Sequence, residues 1–279
     1  MTNPNKSAQN SPDNPLDLPP VIGHRGASGY APENTAACLT TAAQLGLSYV
    51  QLDVRLTKDE IPILFTDLEI DRITMSSGPV AEMTFDELSE LDAGHHFGES
   101  FIGQSVLSLE EGLDLLFDHQ LTPVINLAPN PGEEVATAEI ALDMISQCWP
   151  ADAGRPDSNL NRPVICSSQK VTLETARDII PQWPRVLNLN GWDDQWVDMA
   201  KYLMVSGIWV TPDMLERQIV SEINQMGLQI IAGPTSDVME AESLYDWGVD
   251  SIISPMPDEV MFADNYPDDK SEADILDFS

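Results

Sequence analysis

His24 and Arg25 stand side by side at the end of a short apolar run, Val21-Ile22-Gly23. Guanidinium grips oxyanion oxygens in a fork and imidazole titrates near neutrality, so this pair suits a corner that holds a phosphate and moves a proton. Gly23 and Gly26 flank the pair and permit a tight turn. The chain continues Ala31-Pro32-Glu33-Asn34-Thr35, where Asn34 is the expected N-cap of an apolar helix over 35–45 closed by Gly46. A second group follows in Ser48-Tyr49-Val50-Gln51-Leu52-Asp53-Val54, whose alternation puts Gln51 and Asp53 on one face of a strand.

These groups need a scaffold that brings strand ends together. Strand patterns at 21–23, 48–54, 124–127, 164–166, 185–189, 207–210, 228–231 and 250–253 alternate with helical patterns at 35–45, 108–118, 133–147, 172–180, 192–203, 216–226 and 237–247. Eight β segments alternating with helices are the grammar of an α/β TIM (β/α)8 barrel, in which chemistry sits at the C-terminal strand ends. Residues 61–65 read as an extra short strand. Residues 66–105 read as a short inserted segment after the second strand, with one small helix over 84–91 opened by a Thr84-x-x-Glu87 capping box. The barrel is expected to occupy 19–257, between a disordered, Asn- and Pro-rich tail at 1–18 and an acidic solvated tail at 258–279.

The balance of 13 Lys and Arg against 46 Asp and Glu gives a net charge of -33, which excludes nucleic acid and anionic membranes as partners, since both demand a basic footprint. A basic partner for the acidic tail stays open. Cys38, Cys148 and Cys166 are odd in number and set in apolar context, the pattern of buried thiols in a reducing compartment. There is no apolar run long enough for a membrane span and no apolar signal core near residue 1, so the expected location is cytoplasmic.

The residues His24-Arg25-Gly26-Ala27, Ala31-Pro32-Glu33-Asn34-Thr35, Gln51-Leu52-Asp53-Val54-Arg55, Asp71-Arg72-x-Thr74 and Leu91-Asp92-Ala93-Gly94 together resemble the glycerophosphodiester phosphodiesterases. The resemblance extends, more weakly, through Leu109-Glu110-Glu111 to Gly248-Val249-Asp250 and so covers nearly all of the globular part. It implies a TIM barrel with an insertion after the second strand. The implied reaction is metal-dependent hydrolysis of glycerophosphodiesters to glycerol phosphate and an alcohol, with two histidines as acid and base and three carboxylates on a divalent ion. Carried over residue by residue, His24 matches the first catalytic histidine, Arg25 a phosphate-binding arginine, Glu33 the acid of the Pro-Glu-Asn motif and Asp53 one metal carboxylate. Several positions depart: Gln51 and Asn126 stand where the family has metal-binding Glu, Thr66 where it has the second histidine, Ala128 where it has a lysine, and Ile231-Ala232-Gly233-Pro234-Thr235 where it has a Trp/Tyr-Thr-x-Asn strand end.

At ~4 Å and an effective dielectric near 20, each carboxylate contributes up to ~8 kcal/mol to a divalent ion before desolvation. Two amides in place of two carboxylates therefore leave at most a weak Mg²⁺ or Ca²⁺ site and no confident cofactor. Thr66 does not protonate an alkoxide near pH 7, and loss of a positioned acid or base costs about 10²- to 10⁴-fold. Hydrolysis by the family route is thus expected to be weak or lost. The expected ligand is a small phosphate-bearing molecule such as a glycerophosphodiester or glycerol phosphate. An active hydrolase with altered residues and a purely interacting protein remain the alternatives. Asp53, stripped of carboxylate partners, is expected to pair with Arg25 or Lys58. Adjacent His95 and His96 read as solvent-facing, His119 as a helix-end cation, and the tryptophans as packing.

Overall fold

The computed structural model describes residues 16–155, 158 and 160–261. Eight parallel strands close into a barrel: β1 (Val21–His24), β2 (Tyr49–Leu56), β4 (Thr122–Leu127), β5 (Val164–Ser167), β6 (Arg185–Asn188), β7 (Gly207–Val210), β8 (Gln229–Ala232) and β9 (Ser251–Ser254). Closure comes from β1, which pairs with both β9 and β2. The extra strand β3 (Pro62–Leu64) folds back antiparallel on β2, with Val54 opposite Leu64. The outer layer consists of α1 (Ala36–Gln44), α3 (Leu109–Asp118), α4 (Glu134–Cys148), α5 (Lys170–Ile179), α6 (Trp196–Leu203), α7 (Arg217–Gln225) and α8 (Val238–Trp247). This is the expected TIM barrel.

The β-branched run of strands fills two cores. Between strands and helices lie Leu39, Leu52, Leu113, Ile125, Leu142, Ile165, Leu173, Ile208 and their neighbours. Inside the barrel Ile22, Tyr49, Val124, Val164, Cys166, Val186, Trp209, Ile231 and Ile253 form a separate plug. Burying such a side chain stabilises by about 1.5–3 kcal/mol. Leu16 belongs to this plug and Leu18 packs against it, while the Tyr49 hydroxyl donates to Asp17 O at 2.8 Å. Residues 16–18, expected at the end of a tail, instead close the barrel floor, because the open N-terminal ends of eight strands leave apolar surface that two leucines cover. The rest of the expected N-terminal tail lies outside the described residues, as does the acidic segment beyond Met261. A short helix that the sequence reading missed, α9 (Pro257–Met261), begins just before the expected acidic tail and ends at Met261.

The insertion holds α2 (Phe85–Ser89), whose Thr84–Glu87 capping box forms as expected, and two single 3₁₀ turns. It has its own small core of Ile63, Phe65, Ile70, Ile73, Val80, Leu88, Ala93 and Val106. Gln104 ties it to the barrel by accepting a hydrogen bond from Ala37 N at the start of α1.

Candidate active site at the barrel mouth

Register decides which side chains meet. His24 sits beside Gln51, and Asp53 beside Asn126, across neighbouring parallel strands. Alternation along β2 then turns Gln51 and Asp53 the same way, as expected, and Gln51 Nε2 donates to Asp53 Oδ1 at 2.8 Å.

The turn after β1 is built on unusual backbone. Arg25 adopts φ +54° and Gly26 φ +96°, a left-handed pair that costs a non-glycine residue roughly 1–2 kcal/mol. It is held by Arg25 N to Gln51 Oε1 (3.2 Å), Asn34 N to Arg25 O (3.0 Å) and Cys38 Sγ to Arg25 O (3.1 Å). Gly23 is required by closeness: a Cβ there would lie 2.1 Å from Gly26 O. Asn34 does not cap α1. Thr35 does, accepting from Cys38 N, while Asn34 takes φ +58° and turns inward. Its amide donates to Thr66 Oγ1 at 3.1 Å, and its oxygen receives Asp53 N at 3.4 Å. A residue wanted at the mouth is thereby lost to the helix end.

Asp53, 3% exposed, is the hub. Its Oδ1 accepts from Gln51 Nε2 (2.8 Å) and Asn126 Nδ2 (2.7 Å), and its Oδ2 from Thr66 Oγ1 (2.7 Å). Arg25 Nε lies 3.0 Å from Oδ2, with its N–H poorly aimed, so this contact is an ion pair more than a directed hydrogen bond. The expected Asp53–Arg25 pairing is therefore present. Arg25 Nη1 also reaches Glu33 Oε1 at 2.9 Å. From the insertion, Arg72 grips Glu33 with two bonds, 2.6 and 2.9 Å, and Asp67 with a third at 2.6 Å. Arg55, next on the same face of β2 as Asp53, fixes the Thr66 carbonyl (2.8 Å) and Asn130 Oδ1 (3.0 Å). Three cations, Arg25, Arg55 and Arg72, thus face three anions, Glu33, Asp53 and Asp67.

The charges set the protonation states. Burial, then the Arg25 charge, lower His24 from 6.5 to about 4, so its ring is neutral at pH 7. Burial pushes the Glu33 carboxyl up, but the hydrogen bonds and charges of Arg72 and Arg25 outweigh it and bring it down to about 2. A hydrogen bond to Asp258 raises the Tyr30 phenol to about 12 and ties the β1 loop to α9.

The remaining candidates take ordinary places. His95 and His96 are exposed, and His119 is the C-cap of α3, its ring 3.3 Å from Thr40 Oγ1. Ser167 donates to Leu127 O and serves the backbone. Trp192 and Trp196 pack as a tilted pair, ring centroids 5.2 Å apart, and Trp209 donates to Gly233 O inside the barrel. Sequence reasoning gave Asn34 only the role of a helix cap, and named Arg55 and Arg72 within motifs without giving either a role at the mouth. Arg55 could have been given one, since period two along β2 places it in line with Asp53.

A parallel barrel with a His-Arg corner at the end of β1, Asp53 on β2 and an insertion whose Arg72 reaches Glu33 matches a known enzyme family. The profile of the Glycerophosphoryl diester phosphodiesterase family matches residues 24–259, and the chain belongs to that family. A phosphodiesterase of Oleispira antarctica, solved with the product sn-glycerol-3-phosphate, superposes with a TM-score of 0.84 at 29% identity, over 89% of this chain and 98% of that one. A glycerophosphodiester phosphodiesterase of Agrobacterium tumefaciens gives a TM-score of 0.68 at 26% identity, over 87% and 99%. A Bacillus subtilis glycerophosphodiester phosphodiesterase is 28% identical, over 89% of this chain and 86% of its own length.

The divalent metal implied by the resemblance does not fit the donors present. A carboxylate only accepts, so Gln51 and Asn126 must turn their NH₂ ends to Asp53, and a cation needs oxygens there. Gln51 is locked, because its Oε1 receives the Arg25 N–H. Asn126 Oδ1 is buried and has no hydrogen-bond partner among the described residues. Among the described residues no cluster of three His, Cys, Asp or Glu could hold a metal ion. No helix among them is long and apolar enough to cross a membrane.

Proposed function

We propose that this chain keeps the family's barrel and phosphate corner but not its hydrolytic machinery, and that it binds a phosphate-bearing small molecule such as glycerol phosphate without efficient turnover. The observation that carries this reading is Thr66. At the place of the second acid-base group, its one hydroxyl proton is shared between Asp53 and Glu33, at 2.7 and 3.1 Å, and a hydroxyl does not titrate near pH 7. Gln51 and Asn126 support it, since both donate to the carboxylate that would otherwise hold the ion. The ligand class rests on His24 and Arg25, which share the mouth with Glu33, and on the relative from Oleispira antarctica bound to sn-glycerol-3-phosphate. In this reading Arg25 meets the phosphate, neutral His24 donates a hydrogen bond to it, and Glu33 orients Arg25. With -33 overall, the field of the chain opposes an anionic ligand, so affinity depends on these local donors.

Two measurements test it. A coupled assay on glycerophosphocholine with Mg²⁺, Ca²⁺ or Mn²⁺ should show no turnover that depends on His24. Calorimetry with glycerol 3-phosphate should show binding that Arg25→Ala removes. His24-dependent turnover would favour the alternative of an active hydrolase with altered residues, and absent or Arg25-independent binding would sink the ligand assignment.

A further inference from the structure

We infer that the Arg25 guanidinium is the resident counter-cation of this barrel mouth: it neutralises Asp53 in the family's metal position, so the site needs no divalent ion. This rests on the reading above for the identity of the site and adds how that site is balanced.

The geometry argues it from three sides. Asp53 is 3% exposed on the inward face of β2, near Cys166 of the barrel plug, where an unpaired carboxylate is costly. Arg25 Nε lies 3.0 Å from its Oδ2, the shortest approach of any cation to Asp53 among the described residues. The other three neighbours of that carboxylate, Gln51, Asn126 and Thr66, are all neutral donors. A carboxylate surrounded by three donors and one guanidinium is satisfied in charge and in hydrogen bonds.

The arrangement also makes Arg25 hard to displace. Its backbone N–H is held by Gln51 and its Nη1 by Glu33, while Arg72 secures Glu33 from the insertion. Asp67, Arg72, Glu33, Arg25 and Asp53 thus form a ladder of alternating sign running from the insertion to the floor of the mouth. A divalent ion entering at Asp53 would meet the Arg25 charge and two NH₂ groups.

The test uses the full chain and metals alone. Thermal unfolding is followed in EDTA and in Mg²⁺, Ca²⁺ and Mn²⁺ at matched ionic strength, for the wild type, Arg25→Gln, Asp53→Asn and the double variant. Because the acidic surface attracts cations nonspecifically, the comparison that counts is wild type against Asp53→Asn. The expected result is the same small cation response in both. Arg25→Gln should melt several degrees lower, gain a saturable stabilisation by Ca²⁺ or Mn²⁺ as Asp53 is left unopposed, and recover part of the loss when Asp53→Asn is added. A saturable cation stabilisation of the wild type that Asp53→Asn abolishes would overturn the inference, and that comparison stands even if Arg25→Gln fails to fold. Since no phosphate ligand is added, a failure here is separate from a failure of the proposed ligand.

Discussion

His24 offers a measurable signature of the corner's electrostatics. Its imidazole is depressed to about 4 by burial and by the Arg25 charge, against 6.5 when unfolded. A group whose folded pKa lies below its unfolded value gives stability that is complete above the unfolded value and lost as pH falls toward the folded one. The window is therefore pH 6.5 down to 4. Near the sequence pI of about 4.1 the chain approaches zero net charge and loses solubility, so measurements should stop at pH 5. Between pH 7.5 and 5, two such pKa values imply a loss of about 2 kcal/mol, at 1.36 kcal/mol per unit. Partial exposure of the ring lowers this to about 1.5 kcal/mol. The perturbation is His24→Asn, which keeps a polar group but does not titrate. Urea unfolding of both proteins at half-unit pH steps gives the stability difference, and the acidic background cancels in it. The advantage of the wild type should shrink by that amount on acidification. Parallel stability curves, or an imidazole resonance titrating near 6.5, would refute the reasoning.

Other expectations concern the floor, the ladder and the lost ligands. Leu16→Ala should cost about 2–4 kcal/mol in denaturant unfolding, the price of a core leucine, whereas a true tail residue would cost nothing measurable. Arg72→Gln should raise the Glu33 carboxyl from about 2 toward the ordinary range, which a carbon NMR titration from pH 7 to 5 reads as the onset of protonation in the variant and not in the wild type, and an unmoved resonance would show that Arg25 alone holds it down. Thr66→Val, which strips a donor from both Asp53 and Glu33, should destabilise by about 1–3 kcal/mol. Under the proposed function, Gln51→Glu, Thr66→His and Asn126→Glu together should bring divalent binding in calorimetry and some diesterase activity, and a flat thermogram would count against it.

Much of this was written in the chain. Period two in β2 and the eightfold alternation of strand and helix made the barrel legible, because binary patterning reports burial directly. The capping box at Thr84 was equally local, since it spans only Thr84 to Glu87; the like one at Ser108–Glu111 was not read. The candidate residues His24, Arg25, Glu33 and Asp53, with Gln51, Thr66 and Asn126 beside them, could all be named from the sequence. What they do to one another could not. Asn34 was read as a cap since its type suits one, yet it turns into the mouth because Thr35 next door caps equally well and only Asn34 reaches Thr66. Leu16 was read with the polar residues around it, since nothing local reveals that the floor of a closed barrel lies 191 positions away at Gly207, where an added Cβ would come within 3.1 Å of Leu16 Cδ2. Arg72 lies outside the strand pattern and meets Glu33 from 39 positions away. Composition and periodicity thus fixed which side chains exist and which way each strand faces. Only closure of the barrel decided that Gln51, Asn126, Thr66 and Arg25 all turn on one buried carboxylate, because charge compensation is set by distance in space, to which separation along the chain gives no guide.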